Sequence, residues 1–96
     1  MNIEVTSRHI TVPDNIKEYA IKKVNKILRY YENPISCHII FSNENSQNVV
    51  EINLALSGKQ IFVKDESENL MQSIDSAVDK LVTRVKKFKT KLQSRH

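Results

Sequence analysis

The segment 70–92 constrains the fold more than any other part of this sequence. Apolar residues recur there every three or four positions, and the segment contains neither Gly nor Pro. This spacing predicts one amphipathic helix of about six turns. The apolar positions are Leu70, Ile74, Ala77, Val78, Leu81, Val85, Phe88 and Leu92. A helix with so long an apolar stripe needs an extended apolar surface to pack against, and a β-sheet provides one.

Four shorter segments alternate apolar and polar residues, which predicts half-buried strands. They cover residues 2–7, 35–42, 50–57 and 60–64. Between the first two, a helical stripe of apolar residues starts near Pro13 and runs to Tyr31, and Asn33-Pro34 ends that helix. Residues 65–69 combine acids with capping residues, and we expect them to start the long helix.

The predicted element order is therefore β-α-β-β-β-α, in an α+β fold. Short turns join the last three strands into an antiparallel meander, whereas the first strand connects through a helix and lies parallel to its neighbour. Each strand has one apolar face, so two parallel helices pack on one face of a four-stranded sheet. This architecture is like that of a double-stranded-RNA-binding domain. Residues 1–96 are predicted to form a single domain.

Composition excludes several kinds of chemistry. The single cysteine, Cys37, cannot form an internal disulfide and fits a reducing compartment. It precedes His38 on a strand, so the two side chains point to opposite faces and cannot share a metal or form a nucleophile–base pair. One Gly leaves no Gly-rich phosphate loop, and no apolar run approaches the ~20 residues of a membrane span. We expect a cytoplasmic protein without catalytic residues, metal, cofactor, small-molecule substrate or membrane partner.

Charge is sorted along the chain. Residues 80–96, which include Arg95 near the terminus, hold seven Lys or Arg and no acid. Residues 32–79 hold eight acids against two bases. With a sequence pI near 9.3, such sorted basic charge indicates a polyanionic partner, and in the cytosol this favours nucleic acid.

The long helix concentrates its cations on one flank of the apolar stripe. Four of them fall within about 60° of arc: Lys80, Arg84, Lys87 and Lys91. Cations one turn apart repel each other, and the phosphates of a nucleic-acid backbone would neutralise them. A Lys-rich helix end that only complements the helix dipole is the simpler alternative.

The first helix has a smaller basic set. Lys22, Lys26 and Arg29 share about 60° of arc opposite the buried stripe, with Lys23 offset. The outer face of any amphipathic helix is charged, so this set alone does not indicate a binding site. Two parallel helices that both carry cations would nevertheless bracket one feature of an RNA.

Aromatic residues are few, and no strand shows the interleaved surface aromatics of single-strand binders. Tyr31, Phe41 and Phe88 are predicted to lie in the core. Phe62 and Ile40 should lie on the sheet face away from the helices, either as a small exposed contact patch or, as is more common, as isolated exposed apolar residues. Binding should therefore depend on shape and phosphate contacts, with little base recognition.

Two runs of sequence resemble the ribosome hibernation-promoting factors, also known as sigma-54 modulation proteins. One is residues 19–31 of the first helix. The other is residues 74–92, in which Ile-Asp is followed by Asp-Lys-Leu and then by spaced lysines. The element order agrees, and the resemblance covers essentially the whole chain.

This resemblance implies a ribosome-binding protein and not an enzyme. Members of the family bind the small ribosomal subunit at the decoding centre, in the channel of mRNA and tRNA, and contact 16S rRNA. They inhibit translation and preserve idle 70S ribosomes in stationary phase or stress. The resemblance implies rRNA contacts for Lys22, Lys23, Lys26, Lys80, Lys87, Lys89 and Lys91. The helix faces add Arg29 and Arg84 to the candidate rRNA-binding residues. Arg84 stands where many relatives have Gln, which preserves the basic stripe.

The chain resembles the short members of the family, which lack a C-terminal dimerisation domain. Pairing of ribosomes into 100S particles would then require a separate ribosome modulation factor. Two alternatives remain open: a general double-stranded RNA-binding module, and a protein that modulates a sigma factor. Charge does not separate the three, because each would use a basic face.

Overall fold

One mixed sheet carries both helices on a single face. The computed structural model describes residues 1–93, and Arg95 and His96 lie outside them. The elements are β1 Asn2–Ser7, α1 Asp14–Val24, β2 Ser36–Glu44, β3 Gln47–Leu56, β4 Lys59–Ser67 and α2 Leu70–Gln93. The strand order is β1-β2-β3-β4, with β1 parallel to β2 and the other pairs antiparallel. The predicted α+β order is confirmed.

The core lies between the sheet and the helices. Strand register aligns Val5, Ile39, Ile52 and Val63 in one row across the inner face. Against this face α2 packs on β3 and β4 and buries its apolar stripe, with Leu81 fully inaccessible. Each such side chain stabilises the fold by about 1.5–3 kcal/mol on full burial. The orientation of α2 about its own axis is therefore fixed.

The two helices run in the same direction, as predicted. The Tyr19 hydroxyl donates a hydrogen bond to Asp75, and the ring of Tyr31, in the connection between the first helix and β2, lies 6.3 Å from that of Phe88 further along α2. The later residue of the first segment contacts the later residue of α2, so the two helices are parallel and their basic segments lie side by side.

The first helix is not α-helical throughout. The α-helix ends at Val24, and Asn25–Arg29 form a 3-10 helix. The prediction of a continuous α-helix to Tyr31 is wrong in this segment. The 3-10 helix repeats every three residues, so Val24 and Ile27 stay aligned and both are fully buried. The apolar stripe of the first helix therefore stays buried although the chain changes from an α-helix to a 3-10 helix.

The strand β4 is longer than the sequence indicates. Asp65, Glu66 and Ser67 pair with β3 and extend β4, although their acids and hydroxyl suggest a helix start. The residue that caps α2 is Asn69, whose side-chain oxygen accepts a hydrogen bond from the Gln72 amide at 3.2 Å. Strand pairing outweighs the local capping preference here.

The outer face of the sheet carries a smaller apolar patch than predicted. Phe62 is 47% exposed, but Ile40 is only 9% exposed, so the two do not form one exposed patch and the expected exposure of Ile40 is wrong. Val49 on the same face is fully buried. The ion pair of Lys64 with Glu44, 3.2 Å long, runs from β4 to β2 across the position of Val49. Charged side chains thus cover apolar ones on this face.

Cys37 provides a test of the core. Its side chain is 1% exposed, and burial raises the pKa of the thiol to about 12. Because the thiolate is the reactive form, we expect iodoacetamide at pH 8 to leave Cys37 unmodified in the folded chain. Mass spectrometry should show alkylation only after unfolding in guanidinium chloride. Alkylation of the native protein at the rate of an exposed thiol would contradict this packing.

Candidate nucleic-acid interface

Glutamates are concentrated on the outer face of the sheet, whereas most Lys and Arg lie on the helices. Strand register places four glutamates and one lysine on the outer face of the sheet, away from the helices. They are Glu4, Glu44, Glu51, Glu66 and Lys64. The helices on the other side carry most of the Lys and Arg. A polyanion is therefore repelled from the outer sheet face and attracted to the helical side.

The cations of α2 divide between two flanks. At about 100° per residue, the four cations of the predicted stripe face β4, whereas Lys86 and Lys89 face α1. Contacts agree with this division. Lys80 and Arg84 bond to β4, and the Lys86 ammonium lies 4.7 Å from the centre of the Tyr30 ring. The helix thus presents two basic surfaces.

Two of the predicted site residues also hold the free edge of the sheet. Lys80 donates to the Lys64 carbonyl at 2.9 Å and pairs with Asp65 at 3.1 Å. Arg84 donates to the Phe62 carbonyl at 2.9 Å. Edge strands expose unpaired carbonyls that invite association, and these cations cover two of them. Lys80 and Arg84 remain exposed, so they present charge while their side chains are held in place.

A groove separates β4 from α2, and we call it the β4 groove; its walls are residues 59–64 and 80–91, and the acid Asp79 lines the end of the second cleft. It comprises two clefts of about 580 and 470 Å³, and Arg84 and Lys87 line both. Lys59 lines the first cleft and Lys64 the second. They are the two bases of the otherwise acidic segment 32–79.

Sequence reasoning missed Lys59 and Lys64 as members of the basic surface. They lie in the acidic segment, and neither belongs to a helical stripe. One available signal was the chain order, because β4 leads directly into α2 and is the last strand of the meander. That order places β4 at the sheet edge beside α2, where its lysines join those of the helix.

Lys23 is engaged in a contact between the helices. Its ammonium lies 3.5 Å from Asp75 and 5.7 Å from the centre of the Tyr19 ring. Tyr19 donates to the same carboxylate at 2.5 Å. The Asp75 charge raises the pKa of Lys23, and the hydrogen bond to Asp75 raises the pKa of Tyr19. We call these three residues the interhelix clamp; its carboxylate offsets the charge of Lys23.

The remaining candidates on the first helix are directed outward. Lys22, Lys26 and Arg29 are exposed. The 3-10 geometry places Lys26 and Arg29 one turn apart, so their side chains align. The outward grouping predicted for an α-helix therefore survives the change of helix type. Lys86, which the sequence argument did not select, contributes a further exposed cation beside Tyr30.

Residues 1–93 offer neither a metal-binding cluster nor a helix that could span a membrane. No group of three or more His, Cys, Asp or Glu in this range could hold a metal ion. No helix in the same range combines the length and apolar character needed to cross a membrane.

The fold and the sorted charge define a small α+β protein with a basic helical side. The family model of the sigma 54 modulation protein / S30EA ribosomal protein matches residues 3–93. This chain therefore belongs to that family.

Similar proteins match over nearly their whole length. The ribosome hibernation promoting factor of Pseudomonas putida is 27% identical over 94 residues, which are 98% of this chain and 92% of that protein. That of Azotobacter vinelandii is 25% identical, over 95% of this chain and 85% of its own length.

Solved structures show the same fold. A ribosomal subunit interface protein from Coxiella burnetii is 27% identical with a TM-score of 0.88, over 94% of this chain and 99% of the other. The N-terminal domain of Protein Y from Thermus thermophilus is 32% identical with a TM-score of 0.83, over 92% and 99% respectively.

The interhelix clamp gives a prediction about stability. We expect Tyr19→Phe to lower the free energy of unfolding by about 1 kcal/mol, because the variant loses a hydrogen bond to a carboxylate. Urea unfolding followed by circular dichroism measures the change. Tyr30→Phe is the matched control, because Tyr30 contacts Lys86 through its ring and should lose little. Equal losses in the two variants would show that the clamp does not stabilise the helix pair.

Proposed function

We propose that this chain is a ribosome hibernation factor of the cytoplasm. In this proposal it binds the small ribosomal subunit in the mRNA and tRNA channel near the decoding centre and inhibits translation in stationary phase or stress. It acts as a binding protein and catalyses no reaction. Membership of the family and the names of its relatives support the ribosome as the partner.

The observation that carries the proposal is the fixed arrangement of cations on the helical side. The packing of α2 on the sheet directs one set toward β4, and the interhelix clamp holds α1 beside the other set. Rigid cations lose less entropy on binding than those of a flexible arm. This favours a folded RNA surface with phosphates at fixed positions over indiscriminate coating of nucleic acid.

The proposed mechanism combines phosphate contact with steric exclusion. Each phosphate neutralised by Lys or Arg releases counterions, and this supplies affinity without sequence recognition. A folded domain seated in the channel then occupies the space that mRNA and tRNA require. The acidic outer sheet face would be directed away from rRNA. The candidate contact residues are Lys22, Lys26, Arg29, Lys87, Lys89 and Lys91, with Lys80, Arg84 and Lys23 also holding structural contacts.

Sedimentation through a sucrose gradient tests the proposal. We expect the protein to co-migrate with small subunits and 70S ribosomes, and to be released when mRNA and initiator tRNA fill the channel. A double-stranded RNA module would instead be displaced by free duplex RNA as readily as by channel ligands. A sigma-factor modulator would stay at the top of the gradient. Either of these results would contradict the proposal.

The salt dependence of binding tests the contribution of individual cations. We expect Lys87→Gln to weaken binding to small subunits and to reduce the slope of log K against log salt by roughly 0.7–0.9, the value for one phosphate contact. Fluorescence anisotropy of labelled protein over a range of KCl concentrations measures it. Arg8→Gln is the control, because it removes the same charge from an exposed position after β1. An unchanged slope for Lys87→Gln would remove that residue from the interface.

A further inference from the structure

We infer that the β4 groove holds a single-stranded segment of RNA, with its phosphates between the two walls and its bases against the apolar lining. This inference rests on the proposed function for the presence of RNA. It adds a subsite that differs from the outward helix faces. It also assigns a binding role to Lys59 and Phe62, which lie on β4 and outside both helices.

Cations stand on both walls of the groove. Lys59 extends from the first position of β4, and Lys87 extends from α2. Both side chains are exposed, and within residues 1–93 neither ammonium has a hydrogen bond or ion pair. Opposed cations without partners repel each other across the cleft, and an anion between them removes that repulsion. RNA supplies such an anion in each phosphodiester of its backbone.

Apolar and aromatic residues line parts of the groove among these cations. Ile61, which is 3% exposed, and Phe88 line the first cleft, and Phe62, whose side chain lies on the outer face of the sheet, borders the second cleft at the sheet edge. Phe62 is 47% exposed, although it is a large apolar residue on an edge strand. Between the clefts lies Arg84, whose guanidinium is held by the Phe62 carbonyl at 2.9 Å. Aromatic rings and planar guanidinium groups both accept the face of a nucleobase.

The presence of both cations and aromatic side chains in one groove favours a single strand over a duplex. In a duplex the base faces are stacked within the helix, so an apolar lining would meet only sugars and phosphates. A single strand presents phosphates to the cations and base faces to the rings of the same groove. The walls extend over about 16 Å on α2, at 1.5 Å per residue, and about 17 Å on β4, at 3.3 Å per residue. That length accommodates a segment of several nucleotides.

Stacking is tolerant of sequence, because every base has an aromatic face. The groove would therefore select unpaired RNA without selecting particular bases. This agrees with the scarcity of base-edge recognition that the composition predicts. Its specificity would be for an accessible, unpaired stretch of rRNA beside the docked protein.

A binding assay with short labelled oligoadenylate tests the inference. We expect the single strand to bind the intact protein more tightly than the same strand paired with oligouridylate, at one fixed salt concentration. Lys59→Gln should reduce the salt slope for the single strand by about 0.7. Arg8→Gln, which lies at the opposite corner of the sheet, should leave the slope unchanged. Phe62→Leu should weaken single-strand binding roughly tenfold through loss of stacking.

The outcomes separate this inference from the proposed function. Equal or tighter binding of the duplex, or equal losses in Lys59→Gln and Arg8→Gln, would overturn the inference. Co-migration of the unmodified protein with small subunits would then still support the proposed function. Preferential binding of the single strand without any ribosome association would support the groove and contradict the hibernation role. Circular dichroism of each variant establishes that a loss of binding is not a loss of fold.

Discussion

The basic surfaces of α2 depend on the burial of one side of this helix against β3 and β4. Leu81 and Val85 are fully inaccessible, and Phe88 packs against Tyr31 in the connection between the first helix and β2. This burial fixes the rotation of the helix about its axis. The cations on its two flanks consequently face β4 on one side and α1 on the other. Without the sheet, an isolated helix of this length would present the same residues in no defined relation to the rest of the chain.

Several of the cations proposed to contact rRNA also hold structural contacts. Lys80 and Arg84 cover carbonyls at the free edge of β4, and Lys23 joins Asp75 in the interhelix clamp. Such contacts reduce side-chain motion, so less entropy remains to be lost when a phosphate approaches. They also keep mutually repelling cations close together in the unbound protein. In contrast, Lys59 and Lys87 have no polar partner within residues 1–93.

The spacing of apolar residues predicted most of the fold, because that spacing shows which side of each strand or helix is buried. The alternation in β1 to β3 and the long stripe of α2 correspond to the elements observed. Errors arose where local preference competed with pairing. Residues 65–67 resemble a helix start but extend β4, and the first helix tightens after Val24. The prediction of an exposed Ile40 failed because periodicity identifies the face of a residue and not what covers it.

The candidate site was less accessible to sequence reasoning than the fold. Helical spacing selected the outward cations but could not show that Asp75 engages Lys23, since these residues lie on different helices. Helical spacing also could not show that Lys59 and Phe62 lie beside α2, because the order of strands in the sheet places them there. Charge summed along the chain assigned residues 32–79 to an acidic region. In the folded protein its two lysines lie in the basic groove, and four of its acids, Glu44, Glu51, Glu66 and Asp65, lie on β2 to β4.

In the proposed complex the helical side of this protein, and not its sheet face, meets rRNA. Electron cryomicroscopy of the protein bound to small ribosomal subunits would test this arrangement directly. We expect density in the mRNA and tRNA channel, with Lys26, Lys87 and Lys91 within about 4 Å of phosphate oxygens. We also expect Glu4 and Glu51 to face away from rRNA. Density outside the channel, or rRNA seated against the outer sheet face, would contradict this arrangement.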